Sequence, residues 1–281
     1  MELELRTKEA LKLAKERLKA ASITNLMDAE FILASVLDTD VAGLNAVEFL
    51  TNKQAKAFRK KIKARSKHCP LDKIIGYTDF LDVRIPFDKN TLSPRQETEI
   101  LTEKIIKDIK GKKLSVLDLC SGSGCIGIAI AKATSASVTL SDISKKANKV
   151  AKSNAELNGV DVTILLSDLF DSIPNKFDII VSNPPYIKRR DLEVLEIEVR
   201  DFDPRLALDG GEDGLDFYRD IISKAPEYLN NGGKLYLEIG IEQCKDVVKM
   251  LDKDFDNIVV EKDYNGIERY IIAKKREKNA K

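Results

Sequence analysis

The stretch LSVLDLCSGSG, residues 114–124, decides how the larger part of this chain folds. Its first six residues form an apolar run typical of a buried strand, and a glycine-rich turn follows before a helical pattern begins. A glycine-rich turn between a first strand and a first helix lets a ligand come close to the backbone. The stretch therefore predicts the first strand, loop and helix of a ligand-binding α/β sheet.

Strand and helix patterns alternate from this stretch onward. Strands are predicted at 114–119, 138–142, 162–166, 177–182, 234–239, 258–262 and 269–273. Helical patterns fall between most of them, at 126–133, 145–157, 216–229 and 242–251. This alternation indicates an open, mostly parallel sheet of seven strands. Only Tyr264-Asn265-Gly266 separates the last two strands, which predicts a hairpin and an antiparallel final strand.

The first quarter of the chain has a different pattern. Apolar residues recur at helical spacing through residues 1–67 and predict a small helical bundle, with Thr24-Asn25 as a start signal for its second helix and a third helix at about 53–67. Short apolar runs at 74–77 and 80–87 predict a β-hairpin. The predicted organisation is a helical domain at 1–69, a hairpin linker at 70–93 and an α/β domain at 94–281.

Composition narrows the class of protein. The 281 residues are 43% hydrophobic and 33% charged, as in an ordinary soluble protein. No apolar stretch reaches the length of a membrane span and the first residues lack a signal-peptide pattern, so we expect a cytoplasmic protein without membrane contacts. The cysteines Cys69, Cys120, Cys125 and Cys244 lack paired metal-ligand spacing, and we expect free thiols and no metal site.

The single histidine, His68, excludes chemistry that depends on imidazole, such as a Ser-His-Asp hydrolase.

Charge is uneven along the chain. Residues 1–67 carry 14 Lys and Arg against 9 Asp and Glu, whereas the rest carries 33 against 37. Eight basic residues and no acidic one lie between Lys53 and Lys67. This basic run is either a surface for RNA or an acidic partner, or a solvated helix face.

Acidic residues at two predicted strand ends point to a nucleoside-bearing cofactor. Asp142 ends the second strand of the sheet, where a carboxylate accepts hydrogen bonds from ribose hydroxyls. The spacing of Gly122, Gly124 and Gly127 almost fits a dinucleotide loop, so a nicotinamide cofactor is an alternative. Asp118, just before the loop, suits a cationic ligand better than a pyrophosphate. S-adenosylmethionine carries an ammonium and a sulfonium and no phosphate, which fits both the carboxylate and the antiparallel last strand.

The predicted cofactor site extends to the third and fourth strands. Asp168 would accept from the adenine amino group and Leu169 would pack against the ring, although Asp168 also fits a helix cap or a turn. The candidate cofactor-binding residues are Asp118, Cys120, Ser121, Gly122, Ser123, Gly124, Asp142, Asp168, Leu169 and Asn183.

The tetrapeptide Asn183-Pro184-Pro185-Tyr186 follows the apolar strand pattern at 177–182. The first proline forces Asn183 into an extended backbone, so that its side chain projects from the strand end. The amide oxygen of Asn183 and the carbonyl of Pro184 can accept both hydrogens of a flat NH2 group, and the ring of Tyr186 can cover its face. A carboxamide or a nucleobase amino group fits this arrangement. We predict Asn183, Pro184 and Tyr186 as catalytic and all four residues as substrate-binding; a proline-rich turn is the alternative.

These motifs together resemble the class I S-adenosylmethionine-dependent methyltransferases that modify the glutamine of bacterial peptide chain release factors. The resemblance covers residues 70–273. It is most specific at 183–186, at the segment EVRDFDPRLALDGG (198–211) and at Pro226-Glu227-Tyr228-Leu229, with Gly232-Gly233 and Leu237-Glu238-Ile239-Gly240 nearby. The resemblance implies a substrate glutamine in the Gly-Gly-Gln loop of release factors and a helical domain that docks the substrate. We expect a monomer with no stable nucleic-acid binding.

Three positions depart from the family pattern. Cys120 stands where the family usually has glycine, Gln96 where it usually has proline, and Leu169 where an aromatic residue is frequent. None of the three removes a group that performs chemistry. The rival interpretation is a nucleic-acid adenine N6-methyltransferase, which would hold a flipped base in the same tetrapeptide. The net acidic second part of the chain argues against it, because nucleic-acid enzymes usually present a broad positive surface.

Overall fold

The computed structural model describes residues 5–277, and these divide into two compact units. One unit contains the described residues up to Tyr77 together with Glu196–Phe202. The other contains Thr78–Leu195 and the chain from Asp203 onward. The first unit thus includes a short segment that lies far away in the sequence. The domain limits predicted at residues 69 and 93 remain a prediction.

The first unit is helical, as its sequence pattern predicts. Its elements are strand β1 (Leu5–Arg6), helices α1 (Thr7–Ala20) and α2 (Asp28–Leu37), strand β2 (Phe49–Leu50), and helices α3 (Asn52–Arg65) and α4 (Leu71–Ile75). The two short strands pair antiparallel. The apolar side of each long helix packs into one common core, in which Leu18, Ile32, Leu33 and Phe58 are fully buried. Burial of each such side chain contributes roughly 1.5–3 kcal/mol, so the packed faces hold the bundle together.

The helix starts differ in how they are capped. Thr51 and Gln54 form a reciprocal capping box at the start of α3, which satisfies two backbone donors at once. The predicted start signal at Asn25 acts earlier in the turn: its side-chain oxygen accepts from the backbone N–H of Met27, and α2 begins at Asp28 without a side-chain cap.

Arg65, which the sequence places in the basic run, is buried. Its Nε lies 2.6 Å from Oδ2 of Asp28, and its Nη1 donates to Oε1 of Glu198 and to the carbonyl of Cys69. The assignment of Arg65 to a solvent-facing basic surface is therefore wrong. The exposed basic residues of the run are Lys53, Lys56, Arg59, Lys60, Lys63 and Lys67.

The predicted hairpin is present but shifted. Its strands are β3 (Tyr77–Phe80) and β4 (Val83–Pro86), whereas the expected strand at 74–77 is wrong because Leu71–Ile75 forms α4. Pro70 precedes this single turn and Gly76, with a φ of 94°, ends it. Proline before a helix and a left-handed glycine after it are ordinary boundary signals, and they override the apolar run between them.

The second unit is built on a seven-stranded sheet, as predicted. Its strands are β5 (Ser115–Leu119), β6 (Ser137–Asp142), β7 (Thr163–Leu166), β8 (Phe177–Ser182), β9 (Leu229–Glu238), β10 (Phe255–Lys262) and β11 (Glu268–Lys275). The spatial order is β10-β11-β9-β8-β5-β6-β7. Strand β11 runs opposite to the other six strands, which confirms the prediction from the Tyr264-Asn265-Gly266 turn. Between β8 and β9, the short helix α8 (Ile197–Arg200) belongs to the first unit.

Helices cover both faces of the sheet. They are α5 (Gln96–Ile109), α6 (Cys125–Ala133), α7 (Lys145–Asn158), α9 (Asp216–Tyr228) and α10 (Cys244–Leu251). Val116 packs in the core that includes Leu101 of α5 and Ile128 of α6, and the next residue, Leu117, packs in the core with Ile221 of α9. Alternate residues of a strand point to opposite faces, so the apolar run of β5 supplies both cores.

The order in which successive strands are added to the sheet reverses at β5, which has β6 on one side and β8 on the other. A crevice forms outside the carboxyl ends of the strands at such a switch point, and ligands of open α/β sheets bind there. No helix within residues 5–277 has the length and apolar character needed to cross a bilayer.

Candidate functional site

A cavity of about 530 Å3 lies at the carboxyl ends of β5, β6 and β8. Its volume is in the range of cofactor and drug-sized ligand sites. The loops that follow β5, β6, β7 and β8 each contribute to its wall, together with residues 89–95, Thr98, and the residues Pro204, Leu206, Ala207, Phe217 and Asp220. Eight predicted cofactor residues line the cavity, namely Cys120, Ser121, Gly122, Ser123, Asp142, Asp168, Leu169 and Asn183. Asp118 and Gly124 are not in its wall.

The loop after β5 turns sharply through three left-handed residues, Cys120, Gly122 and Gly124, with φ of 61°, 55° and 80°. A side chain at Gly122 would meet no atom within 4 Å, so this glycine leaves the backbone open to a ligand. A Cβ at Gly124 would lie 3.0 Å from both Ile128 and Leu140, so this glycine permits close packing of α6. Glycine is therefore needed at position 122 for access of a ligand and at position 124 for helix packing.

Asp118 lies one layer beneath the loop. Its Oδ2 accepts from the backbone N–H of Gly127 at 2.9 Å, and its other oxygen is buried without a hydrogen-bond partner. Burial raises the pKa of Asp118 to about 7, opposed by the Gly127 hydrogen bond and helped by the charge of Asp142. The side chain thus ties β5 to the first turn of α6, and direct contact with a ligand remains a prediction.

Asp142 joins the loops that follow β5 and β6. Its Oδ2 accepts from the backbone N–H of Gly122 at 2.9 Å, and its Oδ1 accepts from Ser144 at 2.7 Å. Burial raises the pKa of this carboxyl despite both hydrogen bonds. Each carboxylate oxygen has a second lone pair, so the group can still accept from a ligand hydroxyl in the cavity.

The loop after β7 presents Asp168 and Leu169 to the cavity. Leu169 has a φ of 43°, and its carbonyl accepts from the hydroxyl of Ser167 at 2.8 Å. Leu169 is buried, whereas Asp168 is exposed. An apolar surface beside an exposed carboxylate is suited to a flat heteroaromatic ring that carries an amino group.

Asn183 reaches the cavity from the end of β8 and is held from behind by two side chains. Its Nδ2 lies 3.3 Å from Oγ1 of Thr98, and this hydroxyl donates to Oε2 of Glu238 at 2.8 Å. Sequence reasoning missed both partners. Thr98 and Glu238 are each only 3% exposed. The feature of the sequence that could have identified them is a polar residue at a position where the surrounding pattern calls for an apolar one.

The rest of the tetrapeptide is packed tightly. Pro184 and Pro185 are buried, and only Pro185 lines the cavity. Tyr186 stands outside the cavity wall, and burial raises the pKa of its hydroxyl to about 12. The backbone carbonyl of Tyr186 accepts from Nε2 of Gln243 at 3.0 Å. Gln243, which the sequence did not single out, also binds the backbone of Gly214 and Gly240 and so fixes three loops around the tetrapeptide.

The segment 204–211 lies beside the tetrapeptide. The backbone N–H of Ile187 donates to the carbonyl of Leu208, and the backbone N–H of Gly210 donates to the carbonyl of Ile187. A Cβ at Gly210 would lie 2.7 Å from the Cα of Tyr186, so only glycine allows this approach. Arg95, on the cavity wall, binds the buried carboxylate of Asp203 at 2.7 Å. Gln96 is the first residue of α5, a position that suits proline equally well.

The wall of the cavity contains no histidine, and His68 lies in the helical unit. Within the described residues, no cluster of His, Cys, Asp or Glu side chains has the arrangement of a metal site. The polar groups of the cavity wall are carboxylates, amides, hydroxyls, two thiols, the cations of Lys89 and Arg95, and backbone groups.

The strand order, the glycine loop after the central strand and the acidic residue after the next strand together define a class I S-adenosylmethionine-dependent methyltransferase. Solved structures share the fold. A methyltransferase from Pyrococcus furiosus aligns with a TM-score of 0.53 at 17% identity, over 80% of this chain and 98% of that one. The Thermus thermophilus 16S rRNA N2 G1207 methyltransferase, solved with AdoMet and guanosine, aligns with a TM-score of 0.51 at 18% identity, over 71% and 50%.

Sequence comparison identifies the family. The methyltransferase small domain model matches residues 95–200, and the PrmC N-terminal domain model matches residues 9–76. Release factor glutamine methyltransferases from Geobacter sulfurreducens and Thermodesulfovibrio yellowstonii are each 40% identical to this chain, over 87% and 89% of it and over 88% and 93% of their own lengths. The relative from Leptospira interrogans is also 40% identical, over 93% of this chain and 96% of its own. The chain belongs to the release factor glutamine methyltransferase family.

Proposed function

We propose that the protein transfers the methyl group of S-adenosylmethionine to the side-chain amide nitrogen of the glutamine in the Gly-Gly-Gln motif of peptide chain release factors. The observation that carries this proposal is the orientation of Asn183. Its NH2 group is bound to Thr98, so its carbonyl oxygen is the atom left to accept from a substrate amide.

The cavity residues fit S-adenosylmethionine. Gly122 leaves open space beside the backbone, Asp142 offers carboxylate lone pairs for ribose hydroxyls, and Leu169 offers an apolar surface for adenine. Asp168 would accept from the adenine amino group. The cofactor, when bound, supplies an electrophilic methyl group on its sulfonium.

Asn183 and Pro184 would hold the substrate carboxamide. The amide oxygen of Asn183 accepts one hydrogen of the substrate NH2, and the carbonyl of Pro184 accepts the other, which aims the nitrogen into the cavity. An amide nitrogen is a poor nucleophile, so orientation is the main requirement, and good positioning lowers a barrier by roughly 7–11 kcal/mol. Both oxygens also stabilise the positive charge that develops on nitrogen.

Tyr186 would cover the face of the substrate amide, and its electron-rich ring tolerates nearby cationic character. No general base is needed, because an amide alkylated on nitrogen is acidic enough to lose its proton to water. This agrees with a cavity wall that has no histidine.

The helical unit would dock the body of the release factor. The exposed lysines of α3 give it a positive face suited to an acidic protein surface. We further propose that the enzyme acts as a monomer in the cytoplasm and does not bind nucleic acid stably. Light scattering of the purified enzyme tests the first point, and a dimer peak would contradict it.

The deciding experiment offers radiolabelled S-adenosylmethionine and one of three acceptors: a release factor, the same factor with its Gly-Gly-Gln glutamine replaced, or duplex DNA. Label is expected on the first acceptor alone. Label on DNA would instead favour the adenine methyltransferase alternative.

A variant connects this activity to the site. Asn183→Ala should nearly abolish turnover while S-adenosylmethionine still binds, as measured by calorimetric titration, because the lost oxygen binds the substrate and the developing charge. Turnover near the wild-type rate would remove Asn183 from the assigned role.

A further inference from the structure

Three side chains from three separate elements form a hydrogen-bonded chain at the wall of the cavity. Thr98 comes from the first turn of α5, Asn183 from the end of β8 and Glu238 from the last residue of β9. Thr98 and Glu238 are both buried; Thr98 belongs to the cavity wall beside Asn183, whereas Glu238 lies outside the wall. A buried carboxylate costs several kcal/mol of desolvation, so its presence here needs a reason.

The direction of each hydrogen bond follows from the chemistry of Glu238. An ionised carboxylate only accepts hydrogen bonds, so the hydroxyl of Thr98 must donate its single hydrogen to it. The oxygen of Thr98 can then only accept, and Asn183 must offer its NH2 rather than its oxygen. The carbonyl oxygen of Asn183 is thereby turned away from Thr98.

We propose that Thr98 and Glu238 are positioning residues that fix the direction of the Asn183 amide, so that its oxygen and not its NH2 meets the substrate carboxamide. The proposal rests on the proposed function of Asn183. With the amide reversed, two NH2 groups would face each other, and neither could accept. The chain thus determines whether the site is an acceptor or a donor for the amide hydrogens.

Protonation of Glu238 would reverse the chain. A carboxyl O–H can donate to Thr98, whose own hydrogen then becomes available for the oxygen of Asn183. Burial raises the pKa of Glu238 to about 7, against the hydrogen bonds from Thr98 and Asn183 and the charge of Arg269, while the charge of Glu97 raises it further.

Burial moves the pKa values of several other groups around Glu238 well above 7. Burial raises the pKa of the Tyr186 hydroxyl to about 12, and raises those of Tyr218 and Tyr270 further above their ordinary range. Burial also raises the pKa of the Cys125 thiol to about 12. Burial also raises the pKa of the Asp118 carboxyl to about 7, so a step in turnover near pH 7 is assigned to Glu238 only if the Glu238→Gln enzyme lacks it. Turnover should rise with pH as Glu238 ionises, because only the ionised form holds Asn183 in the accepting direction.

The test compares three threonine variants. Thr98→Val removes the hydroxyl with little change of shape, and kcat should fall about 10- to 100-fold, whereas the KM and affinity for S-adenosylmethionine stay within twofold. Thr98→Ser restores the hydroxyl and should recover most of kcat. Thr102→Val is the matched control: Thr102 is one turn further on α5, equally buried, and bonds only the backbone of Thr98. Its kcat should stay near the wild-type value.

The pH profile gives a second, independent readout. Wild-type kcat should rise through about pH 7, and Glu238→Gln should have a lower kcat without this step. A Thr98→Val enzyme with wild-type kcat, a Thr98→Ser enzyme as poor as Thr98→Val, or a wild-type profile that is flat between pH 6 and 8 would each overturn the proposal. If the Thr98→Val protein does not fold, the pH profiles of the wild type and of the Glu238→Gln enzyme decide the question. Absence of release factor methylation by the wild-type enzyme would instead refute the proposed function.

Discussion

The carboxylate of Asp142 accepts a hydrogen bond from the backbone N–H of Gly122 at 2.9 Å, and so connects the end of β6 to the glycine loop after β5. The two residues lie 20 positions apart in the chain and both line the cavity. Asp142 therefore holds the loop, and we propose that it also binds the cofactor ribose.

Asp142→Ala should weaken binding of S-adenosylmethionine about 10- to 100-fold, because hydrogen bonds to a charged acceptor contribute roughly 1.5–3 kcal/mol. Calorimetric titration of wild type and variant measures the difference. Asp171→Ala is the control, since Asp171 is exposed near the same edge of the sheet and outside the cavity wall. Equal affinity of Asp142→Ala and wild type would remove Asp142 from the cofactor site.

Cys120 departs from the family glycine at a position whose φ is 61°. A left-handed backbone costs a residue with a Cβ about 1–2 kcal/mol, and glycine avoids this cost. Cys120→Gly should therefore unfold at a higher temperature than Cys120→Ala by about 2–4 °C, as measured by circular dichroism. The alanine variant is the proper reference because it keeps the Cβ and the strain. A Cys120→Ala protein that melts at or above the glycine variant would show that the loop is not strained.

Much of this fold could be predicted from the sequence, because its signals are local. The seven strands are apolar runs bounded by turns, and the cavity loop has its glycines and its acid within one βαβ unit. The helical turn Leu71–Ile75 was missed because five residues are too few for helical periodicity to show, and only the flanking Pro70 and Gly76 mark it.

The residues that hold Asn183 in place, Thr98 and Glu238, could not be predicted in the same way. Asn183 meets Thr98 across 85 positions, and Thr98 meets Glu238 across 140. No local pattern encodes a pair so far apart, so only the packing of α5 against the sheet brings them together. Burial of Arg65 has the same origin, because its partners Asp28 and Glu198 lie 37 and 133 positions away.

Arg65 should act in stability and not in substrate binding. Its removal leaves the buried carboxylate of Asp28 without a counter-charge, and breaking a buried pair costs about 3–5 kcal/mol. Arg65→Met should thus raise hydrogen exchange in peptides from α2 and α3, as read by mass spectrometry. Lys63→Met, an exposed change on the same helix, should alter local stability by less than about 0.5 kcal/mol. Equal exchange in the two variants would contradict the structural role.

The exposed lysines of α3 test the docking surface separately from Arg65. Lys53, Lys56 and Lys60 are spaced so that they share one face of the helix, and none of them belongs to the cavity wall. The triple change of these lysines to glutamate should raise the KM for release factor about tenfold and reduce its dependence on salt, because charges at the rim of an interface act on association. The KM for S-adenosylmethionine should not change.

A matched triple variant separates docking from net charge. Lys146, Lys149 and Lys152 are exposed on α7 and also change to glutamate, with the same loss of six charge units. If net charge alone attracted an acidic release factor, both triple variants would raise KM equally. A rise confined to the α3 variant assigns the effect to that face, since the two proteins differ only in where the negative charge is placed. An unchanged KM in the α3 variant would leave these lysines as a solvated helix surface.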